Sequence, residues 1–243
     1  MKYFARFSFL MVWLIFGFGC AKSPEKQAMD ILKKSMVAHG GSEKWEKVSS
    51  LKFRKWTRLL TDTATVESEM VQILEFRMKP YFEGKITWTK DSVEHVSTWD
   101  GSKLRYTMGG NEIQNPDFLK SKKADFDAAF YAVAQPWKLL DEGAKLSYDG
   151  QKTLENGQLA ETVRIDYGPE SDSWWYYFDP VSFQLIGNEV QLKDHRSLIY
   201  TLTYEQAGDL ILHGKRVSYR VNEKGEKLYT RAEYLYSDYV ITY

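Results

Sequence analysis

The sequence has 243 residues, and its 33 basic side chains (Lys and Arg) balance its 33 acidic ones. Hydrophobic residues make up 43% of the chain and aromatic residues 15%, which is too much apolar surface for a disordered protein. The balanced charge offers no basic excess for binding nucleic acid. The composition therefore predicts an ordered chain that buries a sizeable core and has no nucleic-acid partner.

Residues 1–19 have the features of an export signal. Lys2 and Arg6 precede an apolar run from Phe7 to Phe18. This run is too short for a membrane-spanning helix, which needs about 20 residues, but it suits the core of a signal peptide. We therefore expect the chain to be exported and residues 1–19 to be removed.

The single cysteine, Cys20, lies at the end of this apolar segment. Its position resembles the lipobox of bacterial lipoproteins, in which the cysteine is acylated and becomes the mature N-terminus, although Gly17 stands where that motif prefers Leu. The resemblance implies a lipidated tether at residues 20–23 that anchors the protein in the bacterial cell envelope, and we expect the outer membrane. The alternative is an ordinary secreted protein in which the cysteine has no such role.

The mature chain begins with a helix signal. Ser23-Pro24 is typical of an N-cap followed by the first helical residue, and Gly40-Gly41 ends the pattern. The residues that recur at helical spacing between these points are Ala28, Ile31, Leu32, Ser35 and Met36.

Strand patterns follow, in which apolar and polar residues alternate with a period of two. The clearest runs cover residues 66–78, 82–88 and 104–108, and Asp100-Gly101 supplies a hairpin turn before the last of them. Alternation of this kind predicts an antiparallel meander with one dry face and one wet face.

A second helix signal interrupts the meander. Asn115-Pro116 predicts a cap and a first turn, and Pro136 is expected to bend the chain at the far end. A helix with an apolar face, set within a meander, is expected to lie on the sheet. The apolar residues at helical spacing are Leu119, Phe126, Phe130, Val133 and Trp137.

The strand patterns resume after Gly143 and include an aromatic hairpin at residues 173–190. The run from Trp174 to Phe178 places large rings on both faces of one strand. Such a strand requires a second covering layer, a partner, or an apolar cavity that holds a ligand. We count about eleven strands in one domain, residues 24–243, and a sheet of that size is expected to curve around the helices and enclose a groove.

The sequence contains no recognisable catalytic or metal-binding motif. The four histidines (His39, His95, His195 and His213) lie far apart and fit no metal-ligand spacing. Asp194-His195 resembles part of a catalytic dyad, but neighbouring strand residues point to opposite faces, so we expect no hydrogen bond between these two side chains. We therefore predict that the protein is not an enzyme and binds neither a metal nor a cofactor.

Two segments resemble the LolA/LolB-like lipoprotein-sorting superfamily, in particular its branch of uncharacterised bacterial lipoproteins. His39-Gly40-Gly41, Trp45 and the segment 48–51 are similar to the junction between the first helix and the first strand of that superfamily. The segment 177–185 is similar to its strand-turn-strand segment. The resemblance implies an unclosed, strongly curved antiparallel half-barrel, with helices on its concave side as a lid over an apolar cavity that accepts acyl chains.

On this resemblance we expect a monomeric, lipid-anchored envelope protein that binds a lipid, an acyl chain or another amphiphile, as LolB does from a similar anchor. The aromatic residues are then candidates for the cavity wall. The candidates are Trp56, Phe76, Trp88, Trp99, Tyr106, Phe126, Phe130, Trp137, Trp174, Tyr176 and Phe178.

Two other functions remain open at this point. A surface lipoprotein could bind a glycan or another envelope protein through exposed aromatic rings, with a solid interior. A hydrolase is the third and weakest interpretation. The presence or absence of an interior cavity separates the first two.

Overall fold

The computed structural model describes residues 22–141, 143–168 and 171–243. The expected signal peptide, Cys20 and the first part of the tether lie outside the described residues. Within them, three α-helices and a large antiparallel sheet form a mostly β fold.

The two long helices begin where the sequence predicts. Helix α1 (Pro24–Ala38) is capped by Ser23, whose Oγ accepts a hydrogen bond from the Lys26 N–H at 3.3 Å. A short helix, α2 (Ser42–Lys47), follows it. Helix α3 (Pro116–Val133) is capped by Asn115, whose Oδ1 accepts from the Phe118 N–H at 2.9 Å.

Helix α3 ends earlier than the apolar spacing suggested. Trp137 belongs to a separate 3₁₀ turn (Trp137–Leu140) rather than to the helix. The reason is Pro136, which lacks an amide hydrogen and clashes with the preceding turn of an α-helix.

Thirteen strands form one sheet in the order β6-β5-β4-β3-β2-β1-β15-β14-β11-β10-β9-β8-β7, and β12 and β13 form a separate hairpin. The sheet is curved, and it is not closed, because β6 and β7 are its free edges. The strands are β1 (Ser50–Leu60), β2 (Val66–Arg77), β3 (Glu83–Lys90), β4 (Val93–Trp99), β5 (Leu104–Met108), β6 (Asn111–Glu112), β7 (Lys145–Thr153), β8 (Leu159–Asp166), β9 (Ser173–Phe178), β10 (Leu185–Gln191), β11 (Arg196–Thr201), β12 (Tyr204–Ala207), β13 (Leu210–His213), β14 (Lys215–Val221) and β15 (Lys227–Thr242).

The strand count differs from the expected eleven. Three strands were not predicted: β4, whose alternation is weak, the two-residue strand β6 and the four-residue strand β13. The sequence interpretation also ran β11 and β12 together, although the chain leaves the main sheet after Thr201 and forms the β12–β13 hairpin around Gly208. Short strands carry too few residues for a period of two to show.

Both long helices cover the same face of the sheet. Residues directly opposite each other in paired strands share a face, so one row can be followed from β8 to β5 through the register of the strands. Members of this row pack against α1 at one end of the sheet and against α3 at the other. The row includes Val163, Tyr176, Asn188, Ile199, Ser218, Ala232 and Tyr234, and continues through Thr57, Phe53, Leu74, Ile86, Ser97 and Tyr106.

The aromatic strand β9 is covered on both faces. On the helix side, Tyr176 and Phe178 are fully buried against α1 and Leu139. On the other side, Tyr177 packs beneath Leu154, which lies at the tip of the β7–β8 hairpin. A second covering layer therefore explains most of the burial of this strand.

Among the helices in the described part of the chain, none is long and apolar enough to cross a membrane.

Candidate ligand-binding cavity

A cavity of about 920 Å³, largely open to solvent, lies between α3 and the helix-facing side of the sheet. Ligand sites in proteins typically have volumes of about 300–1,000 Å³, so this one is large enough for a sizeable organic molecule. Its wall combines residues from α3, the β2–β3 connection and strands β9, β10, β11 and β14. The lining residues are Met78, Phe82, Asp127, Ala128, Phe130, Tyr131, Ala132, Gln135, Lys138, Asp141, Tyr167, Trp174, Asn188, Ile199 and Arg216.

One part of this wall is aromatic and apolar. Phe130 of α3 lies against Phe82, with ring centroids 4.5 Å apart, and against Phe76 at 5.0 Å. Met78 and Phe82 come from the β2–β3 connection and pack on the same core. These side chains offer a surface for a hydrocarbon chain but few polar partners.

A cluster of three tyrosine hydroxyls forms another part. The Tyr131 hydroxyl lies 2.5 Å from that of Tyr167 and 2.9 Å from that of Tyr176. Burial raises the pKa of each of these hydroxyls well above its usual range, so all three stay neutral. Three O–H groups share two contacts, so at least one proton is left to donate to another acceptor.

The sheet side of the wall carries a buried polar pair. Arg216 Nη2 donates a hydrogen bond to Asn188 Oδ1 at 2.6 Å, and both residues are almost completely buried. Gln135, just after the C-terminal end of α3, is also buried, and its Oε1 has no hydrogen-bond partner among the described residues. The cavity is therefore amphipathic rather than uniformly apolar.

The structure brings two of the eleven aromatic candidates to this cavity, Phe130 and Trp174. Four others are buried in the cores on either side of it: Phe76, Phe126 and Trp137 lie in the core under α3, and Phe178 lies in the core under α1. Tyr176 is buried under α1 and reaches the cavity region through its bond to Tyr131.

Three more candidates lie under the N-terminal part of α3. Tyr106 is buried, and its hydroxyl lies 2.7 Å from His95 Nδ1. Trp88 stacks on His95 and lines a smaller cavity of about 350 Å³. Trp99 lies beneath the Lys123 amine and lines a third cavity, of about 580 Å³, at the ends of strands β1 to β4.

Trp56 lies on the opposite face of the sheet from the helices. Its partners in the neighbouring strands are Val71 and Leu235, both partly exposed, and the Arg58 guanidinium lies over its ring at 4.9 Å. Because side chains alternate along β1, the residues of that strand that face α3 are Phe53, Lys55 and Thr57 instead.

The polar part of the cavity wall was not predicted from the sequence. Strand β14 alternates apolar residues with polar ones: Val217, Tyr219 and Val221 with Arg216 and Ser218. This alternation predicts that Arg216 and Ser218 lie on a wet face. The structure buries Arg216 and Ser218 as well, because the helix layer covers their face. Both faces of β14 are buried, and the alternation within one strand cannot show that the face carrying Arg216 is covered.

The histidines occupy mainly structural positions, and His39 lies close enough to His213 for their charges to interact. His39 is fully buried: its Nδ1–H donates to the Ile211 carbonyl at 2.7 Å, and its Nε2 accepts from the Leu185 N–H at 3.1 Å. Burial lowers the pKa of His39, and it lowers that of the enclosed His213 further, with the Arg216 charge as a secondary cause. Within the described residues, no group of three or more His, Cys, Asp or Glu side chains is placed to hold a metal ion.

The expectation about Asp194 and His195 was wrong. Their side chains do form a hydrogen bond, with 2.7 Å between His195 Nδ1 and Asp194 Oδ1. The two residues lie in the turn between β10 and β11, where strand alternation does not apply. The pair sits at the surface, and the Asp194 side chain is 83% exposed.

Exposed aromatic rings are few. Among the residues that the structure describes, no tryptophan side chain is exposed, and the exposed aromatic side chains are Tyr81 and Tyr243. A binding surface built from stacked exposed rings therefore has little support.

No family model matches the sequence, and no curated protein matches it significantly. Solved structures resemble it in fold. A DUF1329 family protein from Desulfovibrio piger has a TM-score of 0.56 at 7% identity, covering 90% of this chain and 94% of that one. A domain from Vibrio parahaemolyticus, described as an outer membrane lipoprotein-sorting protein, gives 0.53 at 9% identity, with 90% and 93% covered.

A LolA superfamily protein from Nitrosomonas europaea gives a TM-score of 0.54 at 10% identity, covering 89% of this chain and 94% of that one. At such identities the likeness concerns the fold alone. The resemblance noted in the sequence is confirmed at this level: the chain has the LolA/LolB-like fold.

Proposed function

We propose that this protein is an envelope lipoprotein that holds the acyl chain of a lipid or another amphiphile in the cavity under α3. The observation that carries the proposal is the cavity of about 920 Å³, whose wall joins Phe82, Phe130 and Trp174 to a small number of buried polar groups. Binding sites for organic ligands combine an apolar wall with a few polar groups that fix orientation.

In this proposal the sheet is a half-barrel and α3 is the lid. The helix presents Phe126, Ala129 and Phe130 to the sheet. Its flanks carry the ion pairs Lys122–Asp125 and Lys123–Asp127, both at 2.6 Å, and the two carboxylates are exposed. A helix that is apolar on one side and charged on the other can close a cavity while it faces water.

The proposed location follows from the N-terminal sequence. Cys20 carries the lipid anchor, residues 20–23 are the tether, and the domain from residue 24 stands at the outer membrane as a monomer. The Vibrio parahaemolyticus domain of similar fold, described as an outer membrane lipoprotein-sorting protein, is consistent with such a location. Lipoprotein acyl chains are accordingly among the candidate ligands.

We propose binding or transfer rather than catalysis. The polar part of the lining consists of neutral tyrosines, amides and the Arg216 guanidinium, together with two carboxylates. These carboxylates, Asp127 and Asp141, each pair with a lysine of α3 or of the turn that follows it. Such a wall offers hydrogen bonds and apolar contact, but no nucleophile next to a base.

The proposal can be tested by identifying what the purified protein carries. Organic extracts of the Cys20→Ser protein, which cannot bear the thioether-linked lipid, are analysed by mass spectrometry. We expect a stoichiometric amphiphile that is absent from extracts of a matched protein whose cavity is filled by Ala132→Trp. Equal lipid content in the two proteins, or none in either, would count against the cavity as the binding site.

A further inference from the structure

Within the residues that the structure describes, Arg216 is a buried cation without a counter-ion. Only 3% of the residue is exposed. In the described part of the chain no carboxylate lies within 4 Å of its guanidinium nitrogens, and its single side-chain hydrogen bond goes to the neutral amide of Asn188. Its Nε is enclosed and has no acceptor.

Glu189 is a second buried charged residue of the sheet, and its surroundings differ from those of Arg216. Glu189, 1% exposed, lies beside Arg196 and 3.4 Å from Lys152 Nζ, and it accepts the Tyr177 hydroxyl. This is the usual arrangement, since a buried ion is costly unless it is paired. Glu189 therefore has oppositely charged partners, whereas Arg216 has none among the described residues.

The groups around Arg216 do not neutralise it. A guanidinium stays protonated in proteins, so Arg216 cannot escape its charge by losing a proton. Tyr204 and Tyr239 lie close enough for the Arg216 charge to act on them, but burial raises the pKa of both hydroxyls and keeps them neutral. His213 is also neutral, because burial lowers its pKa.

The guanidinium is part of the cavity wall. Asn188 accepts its hydrogen bond, and Gln135 contributes a further amide to the lining of the same cavity. Phe82 and Phe130 supply an apolar surface to the same lining. The carboxylates of the lining, Asp127 and Asp141, are held by Lys123 and Lys138 respectively, which reduces their repulsion of an anion.

We propose that Arg216 binds the anionic head group of the ligand, and that the ligand is a single-chain amphiphile with a carboxylate head, such as a long-chain fatty acid. This inference rests on the proposed function and adds the ligand class and its orientation. The planar guanidinium binds a carboxylate through two parallel hydrogen bonds. The hydrocarbon chain then runs along Phe130 and Trp174.

The test compares two ligands that differ only in head-group charge. The purified, delipidated protein is loaded with the uncharged fluorophore N-phenyl-1-naphthylamine, which is then displaced by palmitate or by hexadecanol. We expect palmitate to displace the probe at a concentration at least tenfold lower than hexadecanol. Equal potency of the two ligands on the wild-type protein overturns the head-group proposal without any variant.

Substitutions of Arg216 test whether the preference for palmitate over hexadecanol depends on this residue. Arg216→Met should weaken the binding of palmitate at least tenfold and change the affinity for hexadecanol by no more than about twofold. Arg216→Lys should bind palmitate with an intermediate affinity. The matched control is Arg220→Met on the same strand, since Arg220 bonds to Ser197 and does not line the cavity; it should behave as wild type. Unchanged palmitate binding by a folded Arg216→Met protein overturns the proposal.

The same titrations separate this proposal from the proposed function. If the wild-type protein takes up the probe and hexadecanol but shows no preference for palmitate, the cavity stands and the role of Arg216 fails. If it takes up neither the probe nor either ligand, both fail together.

Discussion

His39 joins three elements through the two nitrogens of one ring. It follows the last residue of α1, donates to Ile211 in β13 and accepts from Leu185 at the start of β10. The neighbouring Gly40 has a φ of 115°, and a Cβ there would lie 2.5 Å from the Asp209 carbonyl. The His39-Gly40 pair, which carried part of the sequence resemblance, therefore has a structural explanation.

Replacing His39 should be costly. His39→Ala leaves the Leu185 N–H and the Ile211 carbonyl without partners and opens a void, so we expect a loss of about 2–4 kcal/mol in the free energy of unfolding. Denaturant unfolding measures it. The control is His195→Ala at the surface turn, which should change stability by less than about 0.5 kcal/mol; similar losses in the two variants would contradict the role given to His39.

The buried histidines also predict a pH dependence. His39 and His213 have lowered pKa values in the folded protein, whereas in the unfolded chain a histidine titrates near 6.5. Below about pH 6.5 the unfolded state therefore binds protons that the folded state does not, and stability falls as the pH falls. Each histidine contributes at most about 1.4 kcal/mol per pH unit in that window.

The dependence can be assigned by substitution. Unfolding free energies at pH 8, 7, 6 and 5 should decline more steeply for the wild-type protein than for His213→Leu. Since surface carboxylates contribute equally to both proteins, parallel pH profiles would show that His213 does not titrate as described.

Helix α3 carries a matched pair of phenylalanines: Phe126 is buried in the core beside the smaller cavity of about 350 Å³, and Phe130 lies at the cavity of about 920 Å³. Phe126 is completely buried against Phe76, whereas Phe130 is partly buried and lines the cavity. Truncating Phe126 to Ala should cost about 3–5 kcal/mol, the usual penalty for a void in a packed core. Phe130→Ala should cost less, because its wall already lacks some contacts.

Binding should follow the opposite order. Loss of Phe130 removes a surface that excludes water from the bound chain, so affinity for a fluorescent amphiphile should fall more than stability does. Denaturant titration and ligand binding are measured on the same two variants. A full core penalty for Phe130→Ala with unchanged affinity would mean that the side chain serves packing alone.

The helices were the most predictable elements. The Ser-Pro and Asn-Pro caps marked both starts, and the five inward positions predicted for α1 are the residues that the structure buries in that helix. These signals are local, because a cap and a spacing of three or four residues involve only a few neighbours in sequence. The strands were less predictable, since β4, β6 and the β12–β13 hairpin are too short or too irregular to show alternation.

The order of the sheet could not be obtained from sequence. Strand β15 pairs with β1 on one side and β14 on the other, and so joins the N-terminal strands to the C-terminal ones. Pairing between segments nearly 200 residues apart leaves no mark in either segment alone. The same applies to the cavity, whose wall combines side chains from Met78 to Arg216; aromatic content suggested a pocket but selected only Phe130 and Trp174 from its lining.

The central claim about the whole molecule is that the space under α3 holds an acyl chain. Ala132 lines that space, and a tryptophan there would occupy it, whereas Ala124 is exposed on the same helix. The matched variants Ala132→Trp and Ala124→Trp therefore differ in whether the new ring enters the cavity.

The most direct measurement is the titration of N-phenyl-1-naphthylamine into the wild-type protein and both variants. We expect saturable binding at one site by the wild-type and Ala124→Trp proteins, and at least tenfold weaker binding by Ala132→Trp. The account is contradicted if the wild-type protein does not bind the probe, or if a folded Ala132→Trp protein binds it as tightly as Ala124→Trp does.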